Sequence, residues 1–411
     1  MKAMNWQPHA YSTLLAATVL TWAGQAQALI QDITAQFRPD PSNPMVNTFV
    51  NTTPQSGICP GHIPAYCKAQ GIFTIRTNDL TAIASGPIAP NHESPRDGAM
   101  WKVPSEWRDV QVTHRETGHA ETVQVRIAGI GHRWDARPGV GVWQQPGLNW
   151  STAWRTAPPP CEGVNYLAAG TTFVLFFWIV PENGGICNRV PSVTIDQFWY
   201  SNTEYAYGLK TPNPLTMAAG EYTGSITYTV GPGADFDFGD IMIPNDNALT
   251  FNFTLDVDHH LKVEVPPGGN RIQLEPQGGW QAWLQNGRKP SRLFRDQTVN
   301  LWASSQFKIT LECPEPLGNT CSLRNAAGHQ VPFDVMVSLP HGLTDAGGRP
   351  VNRLPLTLDG SGTGFFQPSR YIDRKPSTLH FEVQADAVEQ MLKQPGSTYS
   401  GTATVVWDSE V

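Results

Sequence analysis

The chain has 411 residues, enough for two or three domains, with 37 glycines, 35 prolines and only 15 % charged residues. That mixture, rich in Thr, Val and aromatics and nearly free of long helical patterns, points to an all-β protein with many turns. A formal net charge of −7 disfavours a nucleic-acid partner.

At the N-terminus Lys2, the apolar stretch from Tyr11 to Gly24 and the A-x-A triplet Ala26-Gln27-Ala28 mark residues 1–28 as an expected secretory signal, with Leu29 starting the mature chain. No later run reaches the length of a membrane span; Phe173 to Val180 is the longest apolar block. Six cysteines suit an oxidising destination and allow fifteen connectivities. Near-neighbour pairing is expected: Cys59 with Cys67, Cys161 with Cys187, and Cys313 with Cys321. No C-x-x-C pair supports a cysteine metal site.

Residues 29–58 read as an extended lead-in, followed by a small disulfide loop and a strand over Gly71–Arg76. Val110–Trp134 reads as a hairpin around the turn Arg115–Gly118. A Gly-, Pro- and Trp-rich segment runs from Gly131 to Pro160, and Thr171–Val180 reads as a buried strand. Tyr222-x-Gly224 opens a strand that alternates to Val230. Residues 29–231 are thus expected to form one domain. Residues 232–247, acidic and Gly-rich with Asp235, Asp237 and Asp240, are expected to be a linker. A second domain over 248–411 is expected to open with the alternating strand Leu249–Val257.

The terminal segment repeats the pattern. After Gly396, Tyr399, Gly401, Ala403, Val405 and Trp407 alternate with polar or β-branched residues. If that strand is central in its sheet, the domain lacks a neighbour for it.

Together the strand Leu249–Val257, the run Leu274-Glu275-Pro276-Gln277-Gly278-Gly279-Trp280, the block Gln297–Ser304, the early segment Asn51–Cys59 and the terminal Tyr399-x-Gly401 strand resemble the two-domain tip adhesins of bacterial chaperone–usher fimbriae. The resemblance implies an N-terminal receptor-binding β-sandwich or barrel-like domain, then an incomplete immunoglobulin-like pilin domain. Such a domain borrows its last strand from a periplasmic chaperone, and then, at the outer-membrane usher, from the next pilus subunit. It also implies export through the periplasm to the fimbrium tip. Tyr399, Ala403, Val405 and Trp407 would line the groove, and the Val411 carboxylate would be held by the chaperone.

The first domain would bind a host or surface receptor, with a glycan as the expected class. Aromatic faces that stack on sugar rings and polar groups that orient them make Trp134, Asp135, Arg137, Trp143, Asn149, Trp150 and Trp154 the candidates, with core packing as the other reading for the tryptophans. His114 and His119 flank the hairpin turn, and with His132 or His62 could share a cation; exposed or hydrogen-bonded histidines are the alternative. No G-x-S-x-G, H-E-x-x-H or P-loop occurs, so neither catalysis nor a cofactor is expected. A secreted carbohydrate-active enzyme would instead need two converging carboxylates, drawn from Glu106, Asp109, Glu116, Glu121 and Asp135. A non-adhesive minor pilin is the third reading.

Overall fold

The computed structural model describes residues 29–287, 289–361 and 363–409. The expected signal peptide and Val411 lie outside the described residues.

Period-two alternation in the first half of the chain forms β1 (Leu29–Phe37), β2 (Ile72–Thr77), β3 (Ala82–Ala84), β4 (Arg108–His114), β5 (Ala120–Arg137), β6 (Phe173–Ile179), β7 (Gln197–Lys210), β8 (Gly220–Thr229), β9 (Met242–Pro244) and β10 (Ala248–Val257). They belong to one twelve-stranded sheet whose path runs β9-β3-β7-β5-β4-β8-β10-β1, with β2 also on β7 and β6 on β5. Two short helices, α1 (Pro64–Gln70) and α2 (Trp150–Thr156), sit in its connections. Inward residues such as Val112, Val125 and Tyr222 share one core with Trp101, Trp134, Trp154 and Trp178.

The path corrects the expected domain boundary. β10 does not open the second domain. It lies between β8, antiparallel from Gly220↔Val257 to Thr229↔Ala248, and β1, parallel from Leu29↔Leu249 to Phe37↔Val257. Leu249, Phe251, Phe253, Leu255 and Val257 all enter the first core. Residues 232–247 are not a solvated linker either, because Phe236, Phe238 and Met242 are buried. Arg108 holds Asp235 at 2.6 Å, and Arg96 holds Asp237 at 2.8 Å and Asp240 at 2.6 Å. Burial of the aromatic residues decides the placement, and the arginines neutralise the acids that come with them. The two cores divide between Val257 and Leu261.

The second body comprises β11 (Leu261–Glu264), β12 (Leu293–Ala303), β13 (Lys308–Glu312), β14 (Thr320–Asn325), β15 (Gln330–Ser338), β16 (Ile372–Val383), β17 (Tyr399–Ser400) and β18 (Thr404–Asp408). Helices α3 (Gly279–Asn286) and α4 (Ala385–Leu392) flank it. One sheet runs β11-β12-β16-β15-β14, with β17 also on β14, while β13 pairs with β18. At the junction with the first body, His259 Nε2 donates to the Met217 carbonyl at 2.9 Å and Nδ1 meets Ser304 Oγ at 3.2 Å. Ser304 Oγ also accepts from the His260 N–H at 2.8 Å.

Candidate functional site

The second body carries an open apolar cleft. One lip is the segment Gly401–Trp407. β18 pairs along one edge with β13, from Lys308↔Asp408 to Glu312↔Thr404, and has no other ladder partner among the described residues. Its alternation turns Val405 and Trp407 inward, where both are only partly buried against the core, as is Ala403 just before it. Trp407 stacks on Phe307 with ring centroids 5.8 Å apart.

The other lip is β11, an edge strand of its sheet, continued by Ile272 and Leu274. Val299, Leu323, Phe333, Leu379 and Phe381 line the space between, which encloses about 470 Å³. Two free strand edges facing an apolar trough make an arrangement that one extended segment would complete. Such a segment would satisfy the backbone groups of β18 and cover the apolar floor in one step. Leaving a buried amide or carbonyl unpaired costs roughly 1–3 kcal/mol. Exposed apolar surface costs about 25 cal/mol per Å². β18, five residues long, offers a ladder of roughly 17 Å.

Of the residues expected in the groove, Ala403, Val405 and Trp407 line this cleft. Tyr399 does not. It lies on β17, where its hydroxyl meets His329 Nδ1 at 2.8 Å and accepts from Asn325 Nδ2 at 3.3 Å. Sequence reasoning missed the β11 lip, although Leu261, Val263 and Val265 alternate with Lys262 and Glu264 and carry a strand signal.

The tryptophan segment of the first body is core, not a surface groove. Trp134, Trp143 and Trp154 are at most 2 % exposed. Trp154 stacks on Trp178 at 5.1 Å, with Trp134 at 5.0 Å and Trp143 at 5.2 Å. Trp150 is half-buried against the same cluster. Asn149 caps α2, its Oδ1 accepting from the Ser151 N–H at 2.9 Å. Asp135 is buried and gripped by Arg133 through two bonds of 2.8 and 2.9 Å. Arg137 is exposed, as is Asn149, and its guanidinium lies 5.9 Å from the Trp199 ring centroid. These rings cannot present faces to a ligand, because burying them yields more free energy than their Gly- and Pro-rich setting suggests.

The histidines do not converge. His114 is buried and has both ring nitrogens engaged, Nε2 donating to the Ala219 carbonyl at 2.9 Å and Nδ1 accepting from the Thr117 N–H at 3.1 Å. His119 is exposed beside Glu121. His62 packs on Tyr166. His132 is buried between Tyr200 and Phe238, and desolvation pushes its pKa down to about 3. Thr203 Oγ1 donates to the Leu80 carbonyl at 2.6 Å, so it accepts from His132 Nδ1–H at 3.0 Å. Among the described residues no cluster of three His, Cys, Asp or Glu could hold a metal.

The six cysteines form Cys59–Cys67, Cys161–Cys187 and Cys313–Cys321 disulfides. Four carboxylates of the enzymatic alternative are each taken by a different neighbour: Glu106 by Arg108, Asp109 by Gln124, Glu121 by His119 and Asp135 by Arg133. A buried pair has a structural task. Glu204 accepts from Arg76 Nη2 at 2.6 Å and from the Ile58 N–H at 2.5 Å, and fills the space a Cβ on Gly57 would need. It thereby pins the Cys59–Cys67 loop, while burial holds its pKa above the usual carboxylate value.

No family model matches the chain, and no curated protein matches it. Among solved structures, it is similar to CfaE, the adhesive subunit of CFA/I fimbriae of enterotoxigenic Escherichia coli, at 10 % identity and TM-score 0.25, covering 93 % of this chain and 95 % of that one. A chaperone–tip adhesin complex from CFA/I fimbriae biogenesis matches at 11 % identity and TM-score 0.25, over 93 % and 97 %. The chaperone–tip subunit complex CsuC–CsuE from archaic chaperone–usher Csu pili of Acinetobacter baumannii matches at 9 % identity and TM-score 0.22, over 93 % and 98 %.

Proposed function

We propose that the chain is a fimbrial tip adhesin: a recognition domain over residues 29–257, joined to a domain that is incorporated into a fibre by accepting a strand. The observation that carries this is β18, which among the described residues has a ladder partner on one edge only and borders an apolar cleft. β8 makes the contrast. It shares the Tyr-x-Gly pattern and the alternation, but β4 and β10 cover its two sides. The first body therefore supplies the neighbour that the second leaves open.

In this reading a periplasmic chaperone lends the missing strand during export. At the usher the next subunit replaces it, and the first domain meets a receptor at the cell surface. The role is recognition and assembly, with no reaction.

The test adds peptides of alternating apolar residues to the full chain. A fitting peptide should raise the unfolding temperature of the second domain and slow amide exchange at Val405–Trp407. Amides there that are already fully protected without any partner, and do not change on addition, would rule the reading out.

A further inference from the structure

Strand alternation should leave polar residues on the outer face of the first sheet. At one end it does the opposite. Ile243 on β9 pairs with Ile83 on β3, Ile83 with Trp199 on β7, Trp199 with Asp135 on β5, and Asp135 with Phe173 on β6. Their sequence neighbours Met242, Ala82, Tyr200, Trp134 and Val174 point into the core. The row lies on the outer side, with Ile83 61 % and Ile243 45 % exposed, Trp199 and Phe173 half-buried, and Asp135 covered by Arg133. A cavity of about 600 Å³ lies over it, bordered by Ile83, Trp199, Ser201, Ile243, Pro244 and Asn245. An exposed apolar row across neighbouring strands marks an interaction surface.

Its position is also defined. β5 is 18 residues long, roughly 60 Å of strand. Its first residue, Ala120, pairs with Thr113 beside His114, whose ring reaches Ala219 near the junction with the second body. Arg137 is at the other end. The row therefore lies at the end of β5 remote from the fibre-forming domain.

The charges select the ligand. Arg133 lies over Phe173 at 4.1 Å but is neutralised by Asp135. Arg137 lies over Trp199, and no carboxylate pairs with it among the described residues. A peptide strand added at this edge is disfavoured, because Pro244 on β9 has no N–H to offer a ladder. We propose that this face is the receptor-contact surface and takes a carboxylated sugar, its apolar ring face on Trp199 and its carboxylate on Arg137. The proposal rests on the adhesin reading and gives it a ligand class.

The experiment measures binding of the full chain to 3′-sialyllactose, to lactose and to sulfated lactose, and scans the chain on a broad glycan array. Sialyllactose should bind at least tenfold tighter than lactose or its sulfate, and Arg137→Gln should remove that preference. Trp199→Ala should weaken binding tenfold; if that variant does not fold, Ile83→Asp serves in its place. A preference unchanged within twofold in R137Q, equal binding of lactose, or stronger binding of the sulfate would overturn the proposal. If the array shows binding to another glycan that Arg137→Gln and Ile83→Asp leave intact, the adhesin reading stands and this surface is wrong. If neither the array nor the three probes bind, both fall.

Discussion

The carbonyl oxygen of Ser322 lies 2.4 Å from where a Cβ on Gly401 would stand. On the first body, the Gln111 carbonyl lies 2.1 Å from the corresponding point on Gly224. In both Tyr-x-Gly patterns the glycine is required because a neighbouring backbone runs against it. Gly401→Val should therefore unseat the segment leading into β18, costing about 1–3 kcal/mol in the second domain and abolishing peptide acceptance. Gly61→Ala, which meets open space, should be neutral. Denaturant unfolding of both variants checks this, and equal stabilities would contradict it.

Arg96→Met should destabilise the first domain. Asp237 is 1 % exposed, and its partners are Arg96 and the Gly239 N–H. Removing one member of a buried pair costs about 3–5 kcal/mol. Arg96 is 30 % exposed, so the expected loss is nearer about 2 kcal/mol. The midpoint of urea unfolding, followed by tryptophan fluorescence, measures it; Arg38→Met, at an exposed pair with Asp258, should change little.

The buried His132 ties stability to pH. Its folded pKa is about 3, below the free value of 6.5, so between those values the unfolded chain binds a proton that the native chain does not. Stability is therefore full above pH 6.5 and falls as pH drops, by about 2 kcal/mol between pH 7 and pH 5. His259, also held low by burial, acts in the same direction. His132→Phe should flatten the dependence by most of that amount, keeping the stack on Tyr200. Urea titrations at both pH values test it, and an unchanged slope would refute it.

Removing the Cys161–Cys187 bridge, whose cysteines are 26 residues apart, should cost about 3.5 kcal/mol on a chain-entropy basis. The Cys161→Ser, Cys187→Ser double variant should melt the first domain earlier and leave the second unmoved. Calorimetry that resolves the two transitions decides it.

Much of the fold could be read from alternation. The strands around Val123–Ile127, Leu249–Val257 and Val405–Trp407 each have the period that a half-buried strand requires. Alternation fixes which residues share a face, but not which strand lies alongside. That is why Leu249–Val257 was legible as a strand and not as a member of the first sheet. The tryptophans between Gly131 and Pro160 lack any period across their turns, so nothing local tells which side faces the core. The outward row Ile243, Ile83 and Trp199 was invisible for the same reason: its members come from three separate stretches and meet only through pairing.

β10 leaves the first sheet at Val257, and three residues later the chain is bonded to Ser304 of the second. Under the proposed function, a pull on the fibre would act along the axis of β10. Its ladders to β8 and β1 run alongside for its whole length, with bonds across the strand direction. Tension would load those bonds together in shear instead of peeling them one by one, so a surface-held molecule would resist flow through the strand that joins its two halves.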